Sequence, residues 1–395
     1  MPRDATKPDE LTLILVLGLL AAFGPLAIDM YLPAFPAIGA ALDATPTEVG
    51  WTLAVYFAGL STGQLVVGPI TDRVGRTGPL RAGLTLFAIG SLGAALAPRI
   101  ELLIAARGVQ ALGGATCAVT SRAVVRDLYR GAEAARMNSR LVLVMGVAPI
   151  LAPLLGGQLL ALFGWRSIFL VLVVIASIML GVVTVALPET APPQTTRSSM
   201  LATVRALIAD RSFAGHAIAL SLAGAGLFAY ITAAPFLFIE LHHVSSGNFG
   251  WFFGANAAAY IAGSQGNVRL LRTLRPAQIL TGGVIAQSAA GASMLVIGVF
   301  DLGLWPTAAT LFAYVGSIGF IMPNAVAIAL EDQGARAGNA AAWIGAAQFG
   351  VAAGASALVS ALGDGTARPV GAIMLGLALA AGGVLVVTRR LVAGS

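Results

Sequence analysis

The chain has 395 residues, 58% of them hydrophobic and 10% charged, with 23 basic against 17 acidic side chains and a net charge of +6. A soluble domain carries roughly 25% charged residues, so this composition places the chain in a bilayer and excludes a water-soluble enzyme. A single lysine, Lys7, excludes a Walker A loop and a retinal Schiff base, and a single cysteine, Cys117, excludes an intrachain disulfide and any multi-cysteine metal site.

A membrane-spanning helix needs about 20 mostly apolar residues, and such runs follow one another at 11–31, 48–70, 79–98, 101–121, 137–161 and 167–187. Their continuous apolarity predicts helices; barrel strands would alternate polar and apolar over about 10 residues. The first run is longer than a signal-peptide core and no polar domain follows it, so it is read as a helix. At its end LAIDMYLPAFP, residues 26–36, places Asp29 where hydrocarbon is expected. The second run leads into GPITDRVGR, where Gly68 and Gly75 permit tight turning and close approach and Asp72, Arg73 and Arg76 are free to pair with other helix ends. The fourth carries RGVQALGG, which sets Arg107 and Gln110 on one helix face beside small residues. A bare arginine in hydrocarbon costs at least about 2.5 kcal/mol, so Arg107 is expected to face an interior cavity or a partner, the alternative being a side chain that snorkels outward near Arg99. The fifth holds MGVAPILAPLLGG, in which Pro149 and Pro153 remove backbone donors while Gly146, Gly156 and Gly157 offer a smooth surface to a neighbouring helix.

A polar, proline-rich break, PETAPPQTTRSS from Pro188, predicts a flexible linker over 188–212 between an N-terminal bundle, 1–187, and a C-terminal bundle, 213–395. Six further runs lie at 213–239, 249–268, 277–300, 304–329, 338–362 and 369–388. The halves look duplicated: Gly50-Trp51 and Gly250-Trp251 open the second and eighth helices, and Trp165 and Ala367 the sixth and twelfth, at nearly the same offset. Internal repeats of this kind mark transporters that bind substrate between the repeats. GNVRLLRTLRP keeps Arg269, Arg272 and Arg275 but no acid, so an inner lock is expected to be asymmetric. Asp72 is expected near Asn339, at a helix N-terminus that favours negative charge, with Arg73 or Arg76 reaching Asp127. His242 and His243 follow Glu240, but adjacent residues on a helix point apart, and no metal is expected. Nineteen of the 23 basic residues fall at or beside the even loops and the two termini, which predicts cytoplasmic termini and explains the basic balance without nucleic acid.

These motifs resemble those of the Major Facilitator Superfamily. GPITDRVGR is similar to its cytoplasmic signature; RGVQALGG is similar to Arg-x-x-Gln-Gly with Ala111 for the usual glycine. MGVAPILAPLLGG resembles the antiporter signature Gly-x-x-x-Gly-Pro-x-x-Gly-Gly, with Ala152 in place of one glycine. DMYLPAFP, with GWRSIF, NFGWFFGANAAAYIAGSQ and AGNAAAWIGAAQFG, resembles the Bcr/CflA subfamily of drug:proton antiporters over nearly the whole chain. The resemblance implies an all-α fold of twelve transmembrane helices in two pseudo-symmetric six-helix bundles. It implies a proton-coupled exporter of small amphipathic compounds working by rocker-switch alternating access, the alternative being an uptake symporter or metabolite exporter on the same fold. Asp29 is then the proton-coupling group, acting with Arg107, unless it is only an interfacial cap ahead of Pro33. The aromatic and amide groups Tyr31, Tyr56, Gln110, Tyr230, Asn256, Trp343 and Gln348 are the cavity candidates beside Asp29. Gly68, Asp72, Arg73, Gly75, Arg76, Asp127, Gly146, Pro149, Pro153, Gly156 and Gly157 are the gating candidates. The expected partners are a small-molecule substrate, protons and lipid, without cofactor or nucleic acid, in a monomer of the bacterial cytoplasmic membrane.

Overall fold

The computed structural model describes residues 10–129, 131–191, 205–207, 209–334 and 337–393. Arg3, Lys7, Arg130, Arg197, Arg336 and most of the expected linker lie outside the described residues. The long helices in chain order are α1 (Glu10–Asp29), α2 (Pro46–Val74), α3 (Thr77–Leu96), α4 (Ile100–Leu128), α5 (Gly131–Phe163), α6 (Arg166–Ala186), α7 (Arg211–Pro235), α8 (Ser246–Leu270), α9 (Pro276–Phe300), α10 (Leu304–Leu330), α11 (Ala337–Ala361) and α12 (Arg368–Ala393). Eleven of the described helical segments are apolar enough to cross a membrane; α8 is as long but carries Asn248, Asn256, Gln265, Asn267 and Arg269, which lower its hydropathy. The face that holds Glu10 and Ala393 is called here the terminal face; the opposite one is the distal face.

The helix ends depart from the apolar runs where local chemistry overrides hydropathy. α2 starts at Pro46 because Thr45 and Glu48 form a reciprocal capping box, the Glu48 carboxylate accepting from the Thr45 N–H at 2.8 Å. α4 runs on to Leu128 and α5 begins at Gly131, well beyond the apolar limits at 121 and 137. Those extra turns carry the charged residues Arg126, Asp127 and Glu133, and there backbone hydrogen bonding sustains a helix without an apolar run. The distal end of α1 continues through a single 3₁₀ turn, Leu32–Ala34, into a short helix, Phe35–Leu42, and α7 continues through a π turn, Phe236–Leu241.

Packing repeats with the sequence duplication. In the first half α1 packs on α4 and α5, α2 and α3 pack on α4, and α3 packs on α6; in the second half α7 packs on α10 and α11, α8 and α9 pack on α10, and α9 packs on α12. Each pair recurs six helices later. The halves meet along α2 with α11 and, by the same symmetry, α8 with α5. The repeated glycines sit on these seams: a side-chain carbon at Gly50 would strike Ser360 of α11, and one at Gly250 would strike Leu154 of α5. Lipid offers no hydrophobic drive between helices, so small residues that let backbones approach do this work. Their neighbours Trp51 and Trp251 point outward, 39% and 68% exposed, toward the membrane interface near the distal face.

Candidate functional site

Arg107 lies within α4 and is completely buried. Its guanidinium sits 4.4 Å from the Tyr31 ring centre and 4.1 Å from that of Tyr56, and it donates to the Gln110 side chain. Gln110 passes the contact on, its Nε2 donating to Ser91 Oγ at 2.8 Å, while Tyr31 OH and Thr52 Oγ1 lie 2.8 Å apart. Arginine suits this cage because a planar, weakly hydrated cation stacks on aromatic faces. The Nε and Nη2 atoms of Arg107 and the Tyr56 hydroxyl are buried with no hydrogen-bond partner among the described residues. Asp29, the last residue of α1, is 4% exposed. Among the described residues no ion pair within 4.0 Å joins it to Arg107 or to any other base.

The cavity candidates separate into groups. Tyr31, Tyr56, Arg107 and Gln110 meet in the first half, where Asp29 is also buried. Facing them in the second, Asn256 Nδ2 donates to Tyr230 OH at 2.8 Å and the Tyr230 ring stacks on Phe253 with centres 5.7 Å apart. Gln348 instead approaches the Met322 sulfur at 3.2 Å, and Trp343 packs against the apolar core of the second half. Side chains that sequence reasoning overlooked fill the seam: Phe57 of α2 meets Phe228 of α7 at 4.8 Å, and Phe349 of α11 lies 5.4 Å from Phe228.

At the terminal face Arg76 is 3% exposed and bridges two carboxylates, Asp72 at 2.6 Å and Asp127 at 2.8 Å. Arg126 also reaches Asp72 at 3.5 Å, and it is the Arg126 guanidinium that faces Gly338 at the start of α11. Arg73 is exposed and takes no part in this bridge. Glu189, read from sequence as linker, completes the arrangement. Its carboxylate accepts from the backbone N–H of Arg76 at 2.7 Å, from that of Thr77 at 3.1 Å and from the Thr77 hydroxyl at 2.9 Å, capping α3. Partial burial works against its charge, but these hydrogen bonds outweigh it and hold the carboxyl at about 2. Gly75 is required beside it: its φ of 101° is open to glycine, and a side-chain carbon there would run into the Glu189 carboxylate. Gly68 departs from expectation, since it lies inside α2 with open space where a side chain would stand.

On α5 a side-chain carbon at Gly156 would overlap the carbonyl of Met30, the residue after Asp29, and one at Gly157 would come within 3.0 Å of the Ser246 carbonyl at the start of α8. Gly146 faces Ile261 of α8. Pro149 and Pro153 are accommodated within a continuous α5. The antiporter-like motif thus lies where one helix touches both the Asp29 turn and the other half. Among the described residues no cluster of three potential metal ligands occurs.

Comparison with known proteins agrees with this architecture. The chain is 36% identical to an uncharacterized MFS-type transporter, YdgK, of Bacillus subtilis over 95% of its length and 94% of that protein. It is 32% identical to a bicyclomycin resistance protein homolog of Haemophilus influenzae over 90% of its length and 91% of that protein. It is 29% identical to multidrug resistance protein D of Escherichia coli, covering 96% and 94%. A D-xylose-proton symporter shares the fold with a TM-score of 0.77 at 14% identity over 94% of this chain and 97% of that one. Residues 17–358 match the profile of the Major Facilitator Superfamily. Two repeated six-helix halves with the family's motifs at their seams, and relatives alike over almost the full length, make this multi-pass membrane protein a member of the Major Facilitator Superfamily.

Proposed function

We propose that the protein exports small amphipathic compounds, antibiotics among them, in exchange for protons, with both termini in the cytoplasm and the two halves, 1–187 and 213–395, rocking about the Asp29 and Arg107 region. The observation that carries this reading is a buried carboxylate at Asp29, in a span with no other described acid after Glu10 and, among the described residues, with no ion pair within 4.0 Å. An intramembrane acid is costly to keep without a function. The names of the bicyclomycin resistance homolog and of multidrug resistance protein D support a drug as the exported substrate. A proton from the distal side neutralises Asp29; a substrate arriving from the terminal side favours its release. Antiport follows because the two loads exclude each other. Gly156 against the Met30 carbonyl supplies the link by which movement of α5 is felt at Asp29. The glycine and proline pattern of α5 favours this over uptake symport.

The test is Asp29→Asn, a permanently neutral mimic, in proteoliposomes. Uphill, proton-driven export is expected to vanish while the protein still inserts, and the pH dependence of drug binding between about pH 5 and 9 is expected to flatten. If the variant keeps both, Asp29 is an interfacial cap and the proton rides elsewhere.

A further inference from the structure

Between the halves a cleft of about 460 Å³ opens on the distal face. Its floor is buried, with Phe35 and Val49 from the first half and Thr232 and Ser360 from the second, and its rim at Ala40 and Gly363 is exposed. Glu240 is the only ionisable residue in its walls. It is also the only acid in any of the described membrane helices of the second half, counting the π turn that extends α7. That turn, Phe236–Leu241, follows Pro235 and carries both Glu240 and Phe236 into the cleft. Wide helical turns of this type recur at functional sites. Glu240 is half-buried and forms no ion pair among the described residues, so the fold provides the acid without a base to answer it. Two aromatic rings, Phe35 and Phe236, and the hydroxyl of Thr47 complete the walls.

We propose that this cleft is a binding site for a small organic ammonium cation, its charge met by Glu240 and its alkyl groups by Phe35 and Phe236, separate from the region around Asp29. A carboxylate supplies the counter-charge, and aromatic faces are the surfaces that favour quaternary ammonium groups. The volume lies within the range of small-molecule sites. Because the walls come from both halves, an occupant ties the distal ends together. The Thr47 hydroxyl already donates to the Ser360 carbonyl across the same gap at 2.8 Å. A bound cation therefore holds the distal face shut and slows transport; this consequence rests on the rocking motion proposed above, whereas the binding does not.

The experiment uses the purified full chain in lipid nanodiscs, with benzyltrimethylammonium as probe and neopentylbenzene as its uncharged isostere, followed by calorimetry. Saturable binding of the cation is expected, weakened about tenfold or more by Glu240→Gln, the scale of one charge-assisted contact. Asp29→Asn is expected to leave it unchanged. A second variant, Ala40→Cys reacted at the rim with a bulky maleimide, is expected to weaken binding in a chain whose floor is intact, since Cys117 is buried and does not react. Equal binding by wild type and Glu240→Gln overturns the proposal, as does no binding, equal competition by neopentylbenzene, or loss in Asp29→Asn but not in Glu240→Gln. Failure of the proton-exchange reading would appear instead as export retained by Asp29→Asn, with this binding unaffected.

Discussion

Among the described residues Arg107 has no carboxylate within 4.0 Å, and its charge is held by two rings and an amide. Lysine cannot reproduce that: its compact, strongly hydrated ammonium lacks the planar face that stacks. Arg107→Lys and Arg107→Ala are both expected to abolish export at near-normal expression, measured as lost resistance in a strain lacking its own efflux pumps. Unchanged resistance would assign Arg107 to packing alone. Tyr31→Phe removes the hydroxyl that meets Thr52 and Arg107 and is expected to cost about 1 kcal/mol of stability or more, read from a thermal melt. That Arg107 is interior was legible from sequence, because an arginine beside small residues inside an apolar run must avoid lipid. Its cage was not, because Tyr31 comes from the turn after α1, Tyr56 from α2 and Arg107 from α4, and no local spacing links them.

Among the elements, α3 depends on a cap borrowed from the segment that follows α6. Glu189→Gln is expected to destabilise the protein by about 0.5 kcal/mol, the low end for a lost cap, because the site is largely exposed. Its pH dependence follows from a folded value of about 2 against 4.5 unfolded. A depressed carboxyl stabilises fully above the unfolded value and loses that contribution as pH falls toward the folded one. The difference in melting temperature between wild type and Glu189→Gln should therefore be constant from about pH 5 to 8 and shrink below about pH 4. A difference that grows with acidity would refute the cap. On α5, Gly156→Ala drives a methyl into the Met30 carbonyl and is expected to impair export more than Gly157→Ala, whose nearest neighbour is farther off. Equal rates for the two would separate α5 from the Asp29 turn.

For the whole molecule, the seams decide what can move. The distal ends of α2 and α11 are joined by Thr47 and Ser360, while at the terminal face Arg76, Asp72, Asp127 and Arg126 form a charged bridge. Thr47→Cys with Ser360→Cys, joined by a short thiol crosslinker, is expected to stop export and to release it on cleavage of the linker. Export by the joined protein would mean that the distal seam stays closed throughout the cycle. Asp72→Asn weakens the terminal bridge and is expected to shift the distribution of distances between spin labels on either side of that face. An unchanged distribution would leave the bridge a structural feature only.

Apolar length, period and repetition along the chain already specified the membrane setting, the run of helices, the duplication and the position of the motifs. The sequence left Arg73 and Arg76 as alternative partners of Asp127, and the fold chose Arg76. Tertiary structure decided which charge meets which group. Glu189 left the linker to cap α3, and Arg107 took Tyr31, Tyr56 and Gln110 as neighbours while Tyr230 paired with Asn256. Glu240 was passed over beside its histidines and came to line a cleft between the halves. These outcomes depend on contacts between residues far apart in the chain, and pairing across helices is fixed by close packing of small residues, which hydropathy does not encode.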